Sequence, residues 1–217
     1  MKTTTETLPS SQYDYWSYTA FKQTQNHNYL WPGVLNELQR LGATPKRILD
    51  AGCGSGAFSK RLHDQFGCNV YGCDLSESGI ALARNNVPEC RFEFLSLYDD
   101  FVETFGTRFD VVVSVEVLEH LYDPKMFVTK VRDALTGKGV FVLTTPYHGY
   151  LKNLMIAVSG SCDAHYNPLN KGGHIKFWSK RTIVALLESA GFAVARISGV
   201  GRLPWLWKSM VIVATPR

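Results

Sequence analysis

The stretch Ile48-Leu49-Asp50-Ala51-Gly52-Cys53-Gly54-Ser55-Gly56-Ala57-Phe58 constrains this chain more than any other. An apolar run passes into three alternate glycines and then into a helical pattern, which reads as strand, tight turn and helix. Glycines at such a point let backbone come close to a ligand at the helix N-terminus, where unpaired N–H groups converge. A chain with this feature is expected to build an α/β sheet around a bound molecule.

The rest of the chain agrees. From residue 47 onward short apolar runs alternate with helical patterns, the mark of βαβ units that make a parallel sheet. Strands are expected at 47–49, 69–73, 91–95, 109–115 and 139–144, with helices at 57–66, 76–86 and 124–135 between them. Phe127, Val128, Val131 and Leu135 share one face of the last of these helices, and Thr136-Gly137-Lys138-Gly139 ends it. Further helices are expected at 29–41 and 180–190. Two closing apolar segments, 192–197 and 210–215, are joined by about ten residues, too few for a helical crossover, so they pair antiparallel. The expected fold is an α/β, doubly wound, seven-stranded and mostly parallel Rossmann-like sheet with an antiparallel final strand.

With 217 residues, 45% of them hydrophobic, the chain can cover one core but not two ordinary ones, so 1–217 is read as a single domain. An N-terminal extension covers 1–28. Its first ten residues are polar and read as disordered, and Tyr13, Tyr15, Trp16, Tyr18 and Phe21 then form an aromatic cluster that covers a ligand or closes the core. A segment of about thirty residues, 145–176, exceeds ordinary loop lengths and is read as an insertion or lid over the acceptor site. Its apolar part, 147–158, is too short to span a membrane but long enough for peripheral contact with one; packing on the domain's own core is the alternative. Downstream, Arg202-Leu203-Pro204-Trp205-Leu206-Trp207-Lys208 presents two tryptophans beside basic residues as acceptor wall, dimer contact or membrane rim.

Cys53, Cys68, Cys73, Cys90 and Cys162 form no CxxC pair and no dense framework, and no apolar leader precedes the fold, so a cytoplasmic location with reduced thiols is expected. Cys73 and Cys90 read as small core residues. The formal charge of +4, from 23 basic and 19 acidic residues, is not gathered into a basic stripe, which argues against a nucleic-acid partner and for a small-molecule acceptor. Nothing in the sequence fixes the oligomeric state.

Gly52-x-Gly54-x-x-Ala57, with Asp74 some twenty residues later, also satisfies the dinucleotide fingerprint. Charge separates the ligands. Asp50 stands where a dinucleotide would place its pyrophosphate, and a carboxylate there repels it. S-adenosylmethionine brings a sulfonium and an ammonium instead, so Asp50 suits its cationic end while Asp74 accepts from the ribose hydroxyls.

Asp50-x-Gly52-x-Gly54-x-Gly56 resembles the first motif of the class I methyltransferases, and Asp74 the acid of their second, over nearly the whole chain from Tyr29 onward. The resemblance implies a donor site made by Tyr29, Asp50, Gly52, Cys53, Gly54, Asp74 and Leu75. Ser96, Leu97 and Tyr98 would border the adenine, and residues 114–116, Val115 among them, the methionine side.

Ser114-Val115-Glu116-Val117-Leu118-Glu119-His120-Leu121-Tyr122-Asp123-Pro124 leaves the carboxyl end of the fourth strand, where open α/β sheets bind ligands. Glu116, Glu119 and His120 stand at i, i+3 and i+4, so one helical turn would point all three the same way. The stretch resembles the EhxEH motif of the ubiquinone-biosynthesis O-methyltransferases of the UbiG and Coq3 type. It is also similar to that of small-RNA 2′-O-methyltransferases, in which such residues bind a metal with a later histidine. Gly172-Gly173-His174-Ile175-Lys176-Phe177-Trp178-Ser179 resembles the Gly-x-His segment of the UbiG-like enzymes, which makes His174 that histidine.

The resemblance implies O-methylation of a small phenolic or quinol-like acceptor, with Glu116, Glu119, His120 and His174 as catalytic residues. Three roles stay open for them: ligands of Mg²⁺, Mn²⁺ or Zn²⁺ that lower the pKa of a hydroxyl, a metal-free general base at His120 or His174, or purely structural parts. The rival activities are an RNA 2′-O-methyltransferase, an NAD-binding dehydrogenase and a non-catalytic module that keeps only the donor site. The absence of a basic stripe counts against the first and Asp50 against the second.

Overall fold

The computed structural model describes residues 17–21, 27–42 and 45–217. The disorder expected at 1–10 and the aromatics Tyr13, Tyr15 and Trp16 lie outside the described residues.

Seven strands form one sheet: β1 (Arg47–Ala51), β2 (Asn69–Asp74), β3 (Arg91–Phe94), β4 (Phe109–Val115), β5 (Leu135–Pro146), β6 (Phe192–Val200) and β7 (Ser209–Pro216). Their spatial order is β3-β2-β1-β4-β5-β7-β6. The first five run parallel, and β7 lies antiparallel between β5 and β6. Strand order reverses between β1 and β4, and the crevice at their carboxyl ends is where a doubly wound sheet takes its ligand.

The helices are α1 (His27–Gln39), α2 (Ala57–Phe66), α3 (Glu77–Asn86), α4 (Phe101–Phe105), α5 (Pro124–Ala134), α6 (Tyr150–Val158), α7 (Cys162–His165) and α8 (Lys180–Ser189). Side chains alternate between the two faces along each strand. Ile48, Val111, Val113 and Val142 pack on one face with Leu30, Val34, Phe58, Leu62 and Ile80 of α1, α2 and α3. Leu49, Val112, Phe141 and Leu143 pack on the other with Phe101, Phe127, Val131, Ile183 and Leu187 of α4, α5 and α8. Burial on both faces explains why the central strands read as continuous apolar runs. Cys73 and Cys90 are buried, as expected of small core residues.

Local signals set the helix starts. Ser76, Asp100 and Asp123 each accept backbone N–H groups of the helix that follows, and Ser179 and Thr182 form a capping box for α8.

Several boundaries differ from the sequence reading. Thr136-Gly137-Lys138-Gly139, expected as a break, lies inside β5, and the extra residues are taken up by a register shift opposite Phe109 and Val111. The helix before it ends at Ala134. β6 and β7 run longer than expected because they pair with each other as far as Val200 and Ser209. The short helices α4 and α7 were not anticipated, since so few residues show no period.

Segment 145–176 starts as the end of β5, then forms α6 and α7 and an irregular return to α8. α6 buries Lys152 while Tyr150 is 84% and Val158 76% exposed, with Leu151, Leu154 and Met155 also exposed, so this helix does not sink its apolar face into the core. No described helix is long and apolar enough to cross a membrane.

Gly56 caps α2 at φ 77°, and a Cβ there would meet the Ala83 Cβ at 2.8 Å and Phe92 at 3.0 Å. Gly67, at φ 59°, has open space around it. Gly56→Ala should therefore cost ~2–3 kcal/mol in urea unfolding, combining left-handed strain with overpacking, and Gly67→Ala only ~1 kcal/mol. Equal losses in the two variants would remove close packing of α2 on α3 as the reason for glycine at 56.

Candidate active site

Gly52 and Gly54 take φ values of 85° and 53°, in the left-handed region that favours glycine. The Gly54 N–H donates to Asp74 Oδ2 and the Ser76 N–H to Asp74 Oδ1, each at 2.8 Å. Asp74 thereby ties the glycine turn after β1 to the end of β2. Above the turn lies a cavity of about 240 Å³ whose walls include Gly52, Asp74, Leu75, Ser96, Leu97 and Tyr98, all expected at the donor site. Glu116 and His120, expected in catalysis, also line it, as do Tyr18, whose cluster was read as covering a ligand or closing the core, and Val117 and Leu121, for which no role was foreseen. Tyr18 belongs to the aromatic cluster of the extension and lies over the glycine turn: a Cβ on Gly54 would be 2.4 Å from its hydroxyl oxygen.

Five residues expected to touch the donor do not line this cavity: Tyr29, Asp50, Cys53, Gly54 and Val115. Asp50 turns beneath the loop and accepts the Ser59 hydroxyl of α2 at 2.7 Å. Burial pushes its carboxyl up to about 7, opposed by the Ser59 bond and reinforced by the charge of Asp74. Cys53 is buried, its sulfur turned toward Gly72. Gly54 is covered by Tyr18. Burial, then the charge of Glu116, pushes the Tyr29 hydroxyl up, with Ser209 and Arg202 acting the other way.

The single helical face expected for Glu116, Glu119 and His120 does not form. Leu118–His120 is one turn of 3-10 helix, and Glu116 precedes it at φ 55°, a left-handed conformation costly for a side chain with a Cβ. Thr144 compensates: Glu116 N–H donates to Thr144 Oγ1 at 3.0 Å, and the Thr144 hydroxyl donates to Glu116 Oε1 at 2.9 Å. Ser209 donates to the other carboxylate oxygen at 3.1 Å. Burial pushes Glu116 up to about 7 against these two bonds and the charge of Lys152.

Glu119, His120 and His174 do come together, with one donor atom of each within 4.8 Å of the others; Glu116 is not in this group. Glu119 is fully buried, its Oε2 accepting from Thr145 at 3.0 Å and its Oε1 without a hydrogen-bond partner among the described residues. The Nε2 atoms of His120 and His174 each lie 3.9 Å from that oxygen, too far for a hydrogen bond. Burial pushes both imidazoles down, His174 to about 4, so they are neutral near pH 7 and these contacts are not ion pairs. Burial and the nearby Glu116 push Glu119 well up. The insertion is held to this turn by backbone, since Ile175 and Lys176 both donate to the Glu119 carbonyl, at 2.9 and 3.0 Å.

A second cavity, of about 830 Å³, shares Asp74, Leu75 and His120 with the first and adds His174. Tyr122, Tyr166, Ile175 and Phe177 give it an aromatic and apolar wall. His120 thus stands where the two cavities meet and His174 on the wall of the larger, with the buried carboxyl of Glu119 behind both imidazoles.

Residues 23–197 match the family model described as a methyltransferase domain. The chain belongs to this family. Membership of a methyltransferase family sets aside the dehydrogenase left open by the glycine pattern. The ubiquinone biosynthesis O-methyltransferase of Ruegeria sp. (strain TM1040) is 31% identical over 166 residues, 75% of this chain and 66% of that protein. The chain spans between 59% and 68% of the length of the curated relatives it matches. Among solved structures, the PH0226 protein of Pyrococcus horikoshii OT3 superposes with a TM-score of 0.68 at 18% identity, over 92% of this methyltransferase and 95% of that chain. Magnesium protoporphyrin IX methyltransferase of Synechocystis PCC 6803, solved with bound SAH, gives 0.66 at 21% identity over 86% and 82%. These two likenesses bear on the fold.

Two measurements follow from this geometry. Asp50 binds its proton more tightly folded than unfolded, so between pH ~4 and ~7 the folded state holds more protons and stability falls as pH rises. Glu116 acts in the same direction. Asp50→Asn should flatten that decline, by up to ~1.4 kcal/mol per pH unit, in urea unfolding at pH 4.5, 6 and 7.5; a variant less stable than the parent at pH 7.5 would contradict it. Tyr18→Ala should weaken S-adenosylhomocysteine binding about tenfold by calorimetry, the loss of one aromatic contact.

Proposed function

We propose that this methyltransferase O-methylates a small phenolic or quinol-like acceptor, held in the larger cavity against Tyr122, Tyr166 and Phe177 with its hydroxyl toward His120 and His174. The observation that carries the reading is the unpartnered Oε1 of buried Glu119, faced by two neutral imidazoles, of which His120 lines both cavities and His174 the larger. A buried polar atom without a partner is costly and calls for a cation or a proton. One carboxylate and two imidazoles suit a divalent ion, Zn²⁺, Mn²⁺ or Mg²⁺. Glu119, His120 and His174 would hold that ion, and when bound it supplies a lowered pKa for an acceptor hydroxyl.

The protein's own contribution is alignment and proton removal. S-adenosylmethionine supplies an electrophilic methyl group: the carbon–sulfur bond breaks as the bond to the acceptor oxygen forms, and the hydroxyl proton must leave. Asp74 and the glycine turn fix the donor side, while Leu75, shared by both cavities, separates it from the acceptor. His174 faces only the acceptor cavity and is held neutral, the state needed to take a proton. His120 is oriented by its Nδ1 against the Gly173 carbonyl at 3.2 Å, which turns its other nitrogen toward Glu119. A lipid-like acceptor also gives the exposed apolar face of α6 a use, as the surface that meets the membrane holding such an acceptor.

The test is transfer of labelled methyl from S-adenosylmethionine into a cell extract, with and without EDTA, counting organic-soluble and aqueous fractions separately. Label in the organic fraction that EDTA abolishes and added Zn²⁺, Mn²⁺ or Mg²⁺ restores is the expected result. Glu119→Gln and His174→Ala should each lower the rate ~100-fold or more while S-adenosylhomocysteine still binds. EDTA-resistant label confined to the aqueous fraction would overturn both the acceptor class and the metal.

A further inference from the structure

A third cavity, of about 360 Å³, lies between α6, α7 and the connection from β6 to β7, and it shares no lining residue with the other two. Lys152, Arg202, His165, Ser159 and Ser161 face it, beside apolar Met155. No carboxylate of the described residues lines it. Lys152 is buried, an unusual place for an ammonium, and its Nζ donates to the Lys208 carbonyl at 3.2 Å, which uses one of its three donors. Arg202 is exposed and has no hydrogen bond or ion pair with any described residue.

These groups repel one another. Burial, then the charge of Arg202, pushes Lys152 down to about 8, with Glu116 behind it acting the other way. Burial, then Lys152 and Arg202, likewise lowers His165. Cations gathered at one cavity without a facing acid are held at a cost that an anion would relieve.

We propose that this cavity binds the phosphate group of a ligand that is neither the methyl donor nor the acceptor. An ammonium, a guanidinium fork and the linked hydroxyls of Ser159 and Ser161, 2.9 Å apart, reach it from three separate elements. Donors converging from several directions match a tetrahedral oxyanion, which accepts on every side, better than a planar carboxylate. Met155, Ile156 and Leu206 in the wall, with Leu203 and Trp205 exposed on the same connection, suit a ligand whose remainder is apolar. The phosphate belongs either to a soluble ester or to a lipid headgroup, and the chemistry of recognition is common to both.

The test uses the full chain. Inorganic phosphate is titrated by calorimetry at fixed ionic strength, and cosedimentation is measured with phosphatidylglycerol and with phosphatidylcholine vesicles. Arg202→Gln changes an exposed side chain outside the donor and acceptor cavities, so it should keep the parent's melting temperature and methyl transfer while losing about tenfold or more in phosphate affinity. Arg202→Lys should restore part of it. Phosphate binding without vesicle preference supports a soluble ester; preference for phosphatidylglycerol that phosphate competes away and Arg202→Gln abolishes supports a headgroup. Phosphate that does not bind at tens of millimolar together with no preference for phosphatidylglycerol would overturn the proposal. So would an equal loss in Arg61→Gln on α2, which would mean diffuse charge. Because methyl transfer is read separately, failure here leaves the proposed acceptor chemistry standing.

Discussion

The carboxylate of Asp74 holds two N–H groups, those of Gly54 and Ser76, and most of the donor side hangs on that pair of bonds. A turn with three left-handed glycines has little intrinsic preference for one shape, since glycine loses more freedom on folding than any other residue. Two charge-assisted bonds of 2.8 Å from a single side chain at the end of the neighbouring strand select the shape. With the turn fixed, α2 starts with its capping Gly56 close against Ala83 and Phe92, and Gly52 comes close to Val117 beyond β4. The acid that sequence reasoning reserved for a ribose is thus also a structural clamp.

Much of this was legible before any coordinates. The parallel core announced itself because the middles of β1, β4 and β5 are buried on both faces and read as apolar runs, and β7's antiparallel place followed from a connection too short to cross. Gly52, Asp74, Leu75, Ser96, Leu97 and Tyr98, expected at the donor site, share the wall of one cavity because chain order alone brings the strand ends together. What failed was side-chain direction. Asp50 was assigned to the ligand, yet nothing in sequence says that Ser59, in the first turn of α2, will draw it underneath. The extension's Tyr18 was legible only as one of a cluster that covers a ligand or closes the core, because an aromatic residue far from any motif has no spacing to betray its partner.

Glu116 shows the same limit more sharply. Helical spacing put it with Glu119 and His120, and a regular helix would have done so. The chain instead takes a left-handed residue and one tight turn, which divides two carboxylates three residues apart between separate partners, Thr144 and Ser209 for one and Thr145 for the other. Thr144 and Thr145 are neighbours on β5, where alternation sends successive side chains to opposite faces. Strand alternation, rather than helical repeat, therefore decides which acid joins the imidazoles.

The paired backbone bonds from Ile175 and Lys176 to the Glu119 carbonyl carry a broader implication. They anchor the far end of the insertion to the very residue whose carboxyl approaches both imidazoles, so His174, one residue earlier, keeps its position whatever the preceding loop does. Residues such as Tyr166 and Phe177 can then be exchanged, or the stretch before Gly172 lengthened, to fit a differently shaped acceptor without disturbing the chemistry. The architecture separates what is recognised from how it is modified, and selection can act on the first while the second stays fixed.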